Sequence, residues 1–345
     1  MSGPILIWGA GAIGGTLGAF LARAGEDVLL VDVVADHVAA CAGPGLAIEG
    51  PVDAFVQRVP AVTPDRVTGT FDRTILAVKA HHTKDAIAAL APHLADDGWV
   101  LSAQNGLNEL EIARAVGERR SIGCFVNFGA DWLGPGRILF GNRATVAVGE
   151  LDGTIGPRIR EIHRLLSIFE PDAILTDDVW GYLWGKLGYG AMLFATALDM
   201  GSMSENFDRP RYAPVWRRLG QEVMAVARAK GVRPRGFNGY DPDAFMPGAP
   251  DAGALASIRA MADFNRPGAK THSGIWRDLA VRRRRTEVDA QIAVIGEIAA
   301  GLGIDTPAIR TLVALIHDVE EGRRPQAWET LDVLLAVCET APPLA

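Results

Sequence analysis

An apolar run, Ile5-Leu6-Ile7-Trp8, passes directly into Gly9-Ala10-Gly11-Ala12-Ile13-Gly14, and a second apolar run, Val28-Leu29-Leu30-Val31, ends on Asp32. Four apolar residues in a row fit a strand buried on both faces. Gly9 then permits a tight turn, Gly11 lets the backbone approach a bulky anion, and Gly14 lets the next helix lie close on the sheet. That helix, expected over 16–24 and stopped by Gly25, presents its first N–H groups and the positive end of its dipole to the turn. Strand, glycine turn, helix, strand and terminal acid make a complete βαβ unit for a dinucleotide, with Gly9, Gly11, Ala12, Ile13 and Gly14 around the pyrophosphate. Asp32 stands where a ribose lies. A carboxylate there accepts from the ribose hydroxyls and repels a 2′-phosphate, and the following Val33-Val34-Ala35-Asp36 adds no cation. This favours NAD over NADP; NADP stays open through a more distant cation such as Arg58.

The 345-residue chain has room for two domains and a large core. Its net charge of −7, with 282–285 as the one cationic run, argues against a nucleic-acid partner. Cys41, Cys124 and Cys338 are far apart and form no CxxC pair, so neither a disulfide framework nor a zinc site is indicated and a cytoplasmic setting fits. The histidines show no metal-ligand spacing, adjacent His81 and His82 are expected to point apart, and no metal is expected. The chain enters its first strand almost at once, leaving no room for a cleavable signal. The most apolar later stretch, 187–198, is too short to cross a bilayer, so no membrane role is indicated.

Strands are expected over 73–78 and 99–102, with strand-like pieces over 121–128, 136–140, 144–148 and 173–176. Helices over 83–94 and 107–116 alternate with them. From Asp177 long helical patterns take over: 180–199, 212–229, 288–302 and 306–321, with 233–250 as a Gly/Pro/Asp-rich loop. The fold class is therefore α/β: a Rossmann domain over 1–176 and a helical domain over 177–345, with substrate expected in the cleft between them.

Three segments bear chemistry-capable side chains. Lys79 follows an apolar strand at the carboxyl end of the sheet, where open α/β folds bind ligands, and Asn105, in Gln104-Asn105-Gly106, follows the next strand. Each alone is by default a solvated loop residue. Lys186 lies in Leu183-Trp184-Gly185-Lys186-Leu187-Gly188-Tyr189, a helix apolar on nearly every face. An ammonium there has little water around it, and partial desolvation suits it to proton transfer at a carbonyl oxygen. Glu287 opens a long amphipathic helix, where an acid also complements the helix dipole.

In this order the motifs resemble the ketopantoate reductase family: GxGxxG, a lysine after the third strand, Gln-Asn-Gly, Trp-x-Lys (Trp184 to Lys186), Ser-x-x-x-x-Asp (Ser273 to Asp278), Thr-Glu-x-Asp (Thr286 to Asp289) and a late Gly-Ile-x-x-Pro (Gly303 to Pro307). The resemblance implies reduction of the ketone of 2-dehydropantoate by a nicotinamide cofactor, on a Rossmann domain joined to an all-helical domain like that of 6-phosphogluconate dehydrogenase. It implies Lys186 as the catalytic acid, Glu287 as a substrate-anchoring carboxylate, and Asn105 and Lys79 near nicotinamide and substrate. The departures fall on substrate positions. Gly190 and Phe194 stand where the family carries asparagines four and eight residues after the lysine, each worth roughly 0.5–1.5 kcal/mol in a net hydrogen bond. Gly274 stands where the family has a serine, with Ser273 and His272 beside it, and the 278–286 segment is one residue longer than the family pattern.

The expectation is an NAD-preferring oxidoreductase working in either direction between a 2-oxo and a 2-hydroxy acid, bulkier or less hydroxylated than ketopantoate. Two alternatives are a genuine 2-dehydropantoate 2-reductase, with water or His272 replacing the missing amides, and a non-catalytic NADH-binding redox sensor, against which Lys186 and Glu287 both count. A homodimer is expected through the apolar helical domain.

Overall fold

The leading apolar runs do form strands, and they face apolar layers on both sides. In a computed structural model, which describes residues 3–267 and 271–344, the chain divides into two compact units, Met1–Val179 and Trp180–Ala345.

The first unit runs β1 Ile5–Trp8, α1 Ala12–Arg23, β2 Val28–Val31, α2 Ala35–Ala42, β3 Leu46–Glu49, β4 Phe55–Gln57, β5 Ala61–Val62, β6 Phe71–Leu76, α3 Thr83–Leu90, β7 Leu94–Ser102, α4 Asn108–Val116, β8 Ser121–Val126, β9 Gly129–Gly134, β10 Arg137–Asn142, β11 Val146–Glu150, α5 Pro157–Phe169 and β12 Ile174–Leu175. Eight strands make one sheet in the order β12-β11-β8-β7-β6-β1-β2-β5. Every neighbouring pair is parallel except β8 with β11. The chain winds outward from β1 through β2 to β5, then from β6 through β7 to β8, so the order reverses between β1 and β6. Ligands of open α/β sheets bind at such a switch point. Alternation along β1 explains the two layers: Ile5 and Ile7 pack with Leu17, Phe20 and Phe169 of α1 and α5, whereas Leu6 and Trp8 pack with Ile87, Leu90 and Ile112 of α3 and α4.

A second sheet, β4-β3-β10-β9, was represented in the sequence only by the 136–140 piece. It forms because β3 pairs in parallel with β10, Ala47 opposite Arg137. Phe20 joins it to the main core, meeting Phe55, Phe140 and Phe169 edge-on at 5.1, 5.7 and 5.1 Å, a geometry that places positive ring edges on negative faces. His81 and His82 do not diverge: a 3-10 turn over Ala80–His82 brings their rings to 4.1 Å.

The second unit comprises α6 Val179–Ala195, α7 Met203–Asp208, α8 Ala213–Ala229, α9 Asp251–Asn265, α10 Gly274–Ala280, α11 Val294–Gly301, α12 Pro307–Glu320 and α13 Trp328–Thr340. α8 is its centre, packing against α9, α11, α12 and α13 through the fully buried Trp216, Leu219, Val223 and Val226. The 233–250 segment is a loop apart from a 3-10 turn at Pro242–Phe245, and glycines of α6 receive it. A Cβ at Gly188 would lie 2.1 Å from the Tyr240 hydroxyl, and one at Gly185 2.0 Å from the Arg235 carbonyl. The expected 288–302 helix begins with a π-helical stretch, Asp289–Ala293. No side chain of its own N-cap serves α12; the buried Glu222 accepts from Ala308 N at 3.0 Å and Ile309 N at 2.9 Å while Arg218 Nε donates to it at 2.7 Å. Burial pushes the Glu222 carboxyl up against these bonds.

Asp199, after α6, is fully buried. Its Oδ1 accepts from Gly201 N and from Asn206 Nδ2 at 3.2 Å, but among the described residues its Oδ2 and the Asn206 Oδ1 meet no hydrogen-bond partner. Burial raises this carboxyl from 3.8 to about 6. Asp199 in the folded state therefore holds a proton between those values that the unfolded chain has released, so its own contribution to stability falls as pH rises from about 4 to about 6 and is flat above. Asp199→Asn should abolish that slope and raise stability at pH 7 by about 1–3 kcal/mol; urea unfolding between pH 4 and 8 measures both.

Candidate active site

The glycine turn is built by two close fits and one open one. Gly9 has φ +100°, and a Cβ there would lie 2.8 Å from the Val78 N at the end of β6. A Cβ at Gly14 would lie 2.0 Å from the Gly9 carbonyl and 2.9 Å from the Ala77 Cβ, so both glycines are required for α1 and the turn to lie against β6. At Gly11, by contrast, a Cβ would meet nothing within 4 Å among the described residues. The half-buried Ala12 and Ile13 then open α1, which carries neither a capping side chain nor an acid in its first turn. Open space beside N–H donors at a helix N-terminus fits a pyrophosphate.

Asp32 follows β2 with both oxygens engaged: Oδ2 accepts from Ala10 N at 3.0 Å and Oδ1 from Val34 N at 2.9 Å. The acid expected to meet a ribose is thereby fixed to the phosphate turn itself. Beyond it Val33 and Val34 are 80% and 40% exposed. Arg58 donates through Nε to the Ala42 carbonyl at 2.6 Å.

Lys79, exposed, and Asn105, half-buried, lie in the loops after β6 and β7. A buried polar chain, not anticipated from the sequence, joins those loops. Gln104 Nε2 donates to the Val78 carbonyl at 2.9 Å and to Thr83 Oγ1 at 2.8 Å; Thr83 Oγ1 donates to Asn108 Oδ1 at 2.8 Å; Asn108 Nδ2 donates to the Asn105 carbonyl at 2.7 Å. The Thr83 hydroxyl has a single proton and gives it to Asn108, so Gln104 must present its amide nitrogen. Each orientation follows from the next, and the backbones carrying Lys79 and Asn105 are held together.

In the helical unit Lys186, Gly190 and Phe194 recur every four residues along α6 and share a face. Lys186 is half-buried. Among the described residues nothing lies within 4 Å of a Cβ built on Gly190, whereas Phe194 is fully buried, so the family's first asparagine position is open and the second is core. Ser273, 3% exposed, caps α10, its Oγ accepting from Trp276 N at 3.1 Å. His272 lies over the Trp276 ring at 4.0 Å and bonds the Thr271 hydroxyl at 2.9 Å. The longer 278–286 segment turns through Arg283 at φ +50° and is pinned by Asp278, which accepts from Arg282 at 2.8 Å and Arg284 at 3.0 Å. Glu287, 8% exposed, lies two residues before the π-helical stretch; its neighbour Thr286 donates through N and Oγ1 to Glu320 at 2.7 Å each. Among the described residues no three His, Cys, Asp or Glu side chains group as metal ligands, and no helix is long and apolar enough to cross a membrane.

A doubly wound sheet whose switch point carries a glycine turn at a helix N-terminus, tied to an acid after the second strand, has the architecture of a dinucleotide-binding domain. The family model described as "Ketopantoate reductase PanE/ApbA" matches residues 5–153, and "Ketopantoate reductase PanE/ApbA C terminal" matches residues 178–320. The 2-dehydropantoate 2-reductase of Archaeoglobus fulgidus is 26% identical over 318 residues, covering 92% of this chain and 98% of that enzyme. A ketopantoate reductase of this family from Ralstonia eutropha superimposes with TM-score 0.76 at 28% identity, over 93% of this chain and 99% of the other. A D-mandelate dehydrogenase solved with NADH and anilino(oxo)acetate shares the fold at TM-score 0.80 and 21% identity, over 93% and 99%. The chain belongs to the ketopantoate reductase family, and is an NAD(P)-dependent oxidoreductase of that type, acting between CH–OH and C=O groups.

Thr83→Val keeps the shape of the side chain but leaves Gln104 and Asn108 each short of a partner. It should lower stability by about 2 kcal/mol, while Thr83→Ser should stay within about 0.5 kcal/mol of wild type; thermal unfolding of the two variants compares them.

Proposed function

We propose that the chain moves hydride between NADH or NAD⁺ and carbon 2 of an oxo or hydroxy acid other than ketopantoate, with residues 1–176 holding the dinucleotide and 177–345 supplying the substrate chemistry. The observation that carries the substrate assignment is Gly190: on the face of α6 that bears Lys186, the place of a family asparagine is open space. A substrate with a larger, less hydroxylated side chain fills that space without leaving a hydroxyl unpaired.

Bound nicotinamide supplies or accepts the hydride. Lys186 Nζ donates a proton to the substrate oxygen in reduction and accepts it in oxidation. Glu287 anchors the substrate, Asn105 and Lys79 flank the reacting end, and His272 and Ser273 are second-rank substrate contacts. Asp32 supports NADH over NADPH: a carboxylate at this position opposes a 2′-phosphate, and exposed valines, not cations, follow it. Among the described residues Cys41, Cys124 and Cys338 form no disulfide, which supports a reducing, cytoplasmic setting, and assembly as a homodimer belongs to the same proposal.

A genuine 2-dehydropantoate 2-reductase is the second reading, favoured by the full-length similarity to the Archaeoglobus fulgidus enzyme. Steady-state assays with NADH and NADPH, on ketopantoate and on 2-oxo acids with larger apolar side chains, separate the two. Larger oxo acids should react with higher kcat/KM, NADH should outperform NADPH, and Lys186→Ala should lose at least about 100-fold in kcat, the scale of one general acid. Preference for ketopantoate would select the second reading. Gly190→Asn should shift selectivity toward ketopantoate by up to about tenfold, the equivalent of one net hydrogen bond.

A further inference from the structure

His37 is 1% exposed on α2, between two parts of the first unit that are remote in sequence. The Gly136 N–H, in the turn between β9 and β10, donates to His37 Nδ1 at 2.9 Å, and Trp132 Nε1 approaches the same nitrogen at 3.5 Å. A nitrogen that accepts from a backbone N–H carries no proton of its own, so the ring proton lies on Nε2. Nε2 stands 2.8 Å from the Ala10 carbonyl and donates to it. The Trp132 ring stands edge-on to the imidazole at 6.1 Å and 71°, and the buried Cys41 thiol lies 3.7 Å from Nε2.

Ala10 is the middle residue of Gly9-Ala10-Gly11, and both of its backbone groups are now accounted for. Its N–H is held by Asp32 at 3.0 Å and its carbonyl by His37. A turn between two glycines has wide backbone freedom, and these two bonds fix how the following N–H groups are presented.

We infer that His37 is a positioning residue for dinucleotide binding, holding the Ala10 carbonyl from a base anchored in the small sheet so that the glycine turn is set before the cofactor arrives. This rests on the reading that the turn binds NAD(H). The small sheet is thereby a brace for the phosphate turn, which its location outside the main sheet does not suggest.

Two substitutions divide the two ends of the imidazole. Glutamine places its amide nitrogen near the position of Nε2 and keeps the bond to Ala10; asparagine places its oxygen near Nδ1 and keeps the bond to Gly136. Calorimetric titration with NADH and thermal unfolding are run on wild type, His37→Gln and His37→Asn. Both variants should melt lower, since each loses one buried bond. Asparagine should weaken NADH binding by about tenfold, the equivalent of one lost hydrogen bond, while glutamine stays within about threefold of wild type. Equal weakening in both, in step with their melting temperatures, or no weakening in either, would show His37 to be a core residue only and overturn the inference. Wild type that binds neither NADH nor NADPH would instead overturn the cofactor reading, and this inference with it.

Discussion

Everything in the first unit depends on how closely the turn after β1 approaches β6. A Cβ at Gly9 would stand 2.8 Å from a backbone nitrogen, and one at Gly14 2.0 Å from a backbone oxygen. Backbone on both sides leaves no flexible side chain to yield, so the contact is met only by glycine. It brings the N-terminus of α1 to the switch point of the sheet. Asp32 and His37 then set the single non-glycine residue between Gly9 and Gly11, and the Gln104–Thr83–Asn108 chain sets the loops after β6 and β7. The phosphate turn and the two loops beside it are held by buried polar bonds, and the surrounding strands are held by apolar packing.

Buried charge is managed differently in the helical unit. α8 packs against four other helices, yet it carries the buried Arg218 and Glu222 on adjacent turns. Glu222 satisfies two N–H groups at the start of α12, which a capping side chain on α12 itself ordinarily does. An ion pair with those extra bonds offsets part of the desolvation that lifts the carboxyl. Asp199 lacks such full pairing, and its carboxyl rises to about 6.

Motifs defined by local geometry were legible in the sequence. The glycine turn, Asp32, the parallel order of strands and the change to helices near residue 177 all follow from short-range pattern, because each is dictated by residues a few positions apart. What depended on distant pairing was not legible. β3 and β4 pair as a hairpin interrupted by Gly50 and Pro51, and β10, remote in sequence, must lie beside β3 to complete the small sheet and with it the setting of His37. The short α7 did have one: Ser202 and Glu205 form a capping box, with Glu205 N donating to Ser202 Oγ at 3.2 Å, and the Ser-x-x-Glu spacing could have located it. The glycines of α6 mislead in a third way. Gly185 and Gly188 make room for the 233–250 loop, while Gly190 faces open space among the described residues, and spacing alone does not separate packing glycines from an emptied contact position.

The main sheet ends on two very small strands. β5 spans Ala61–Val62, directly after Pro60, and β12 spans Ile174–Leu175. An eight-stranded sheet with long free edges would be a template for another chain to add strands. Here each margin offers only two residues' worth of backbone, and a proline lacking an N–H stands beside one of them. The same trimming leaves the folded sheet little backbone on which another chain could add a strand.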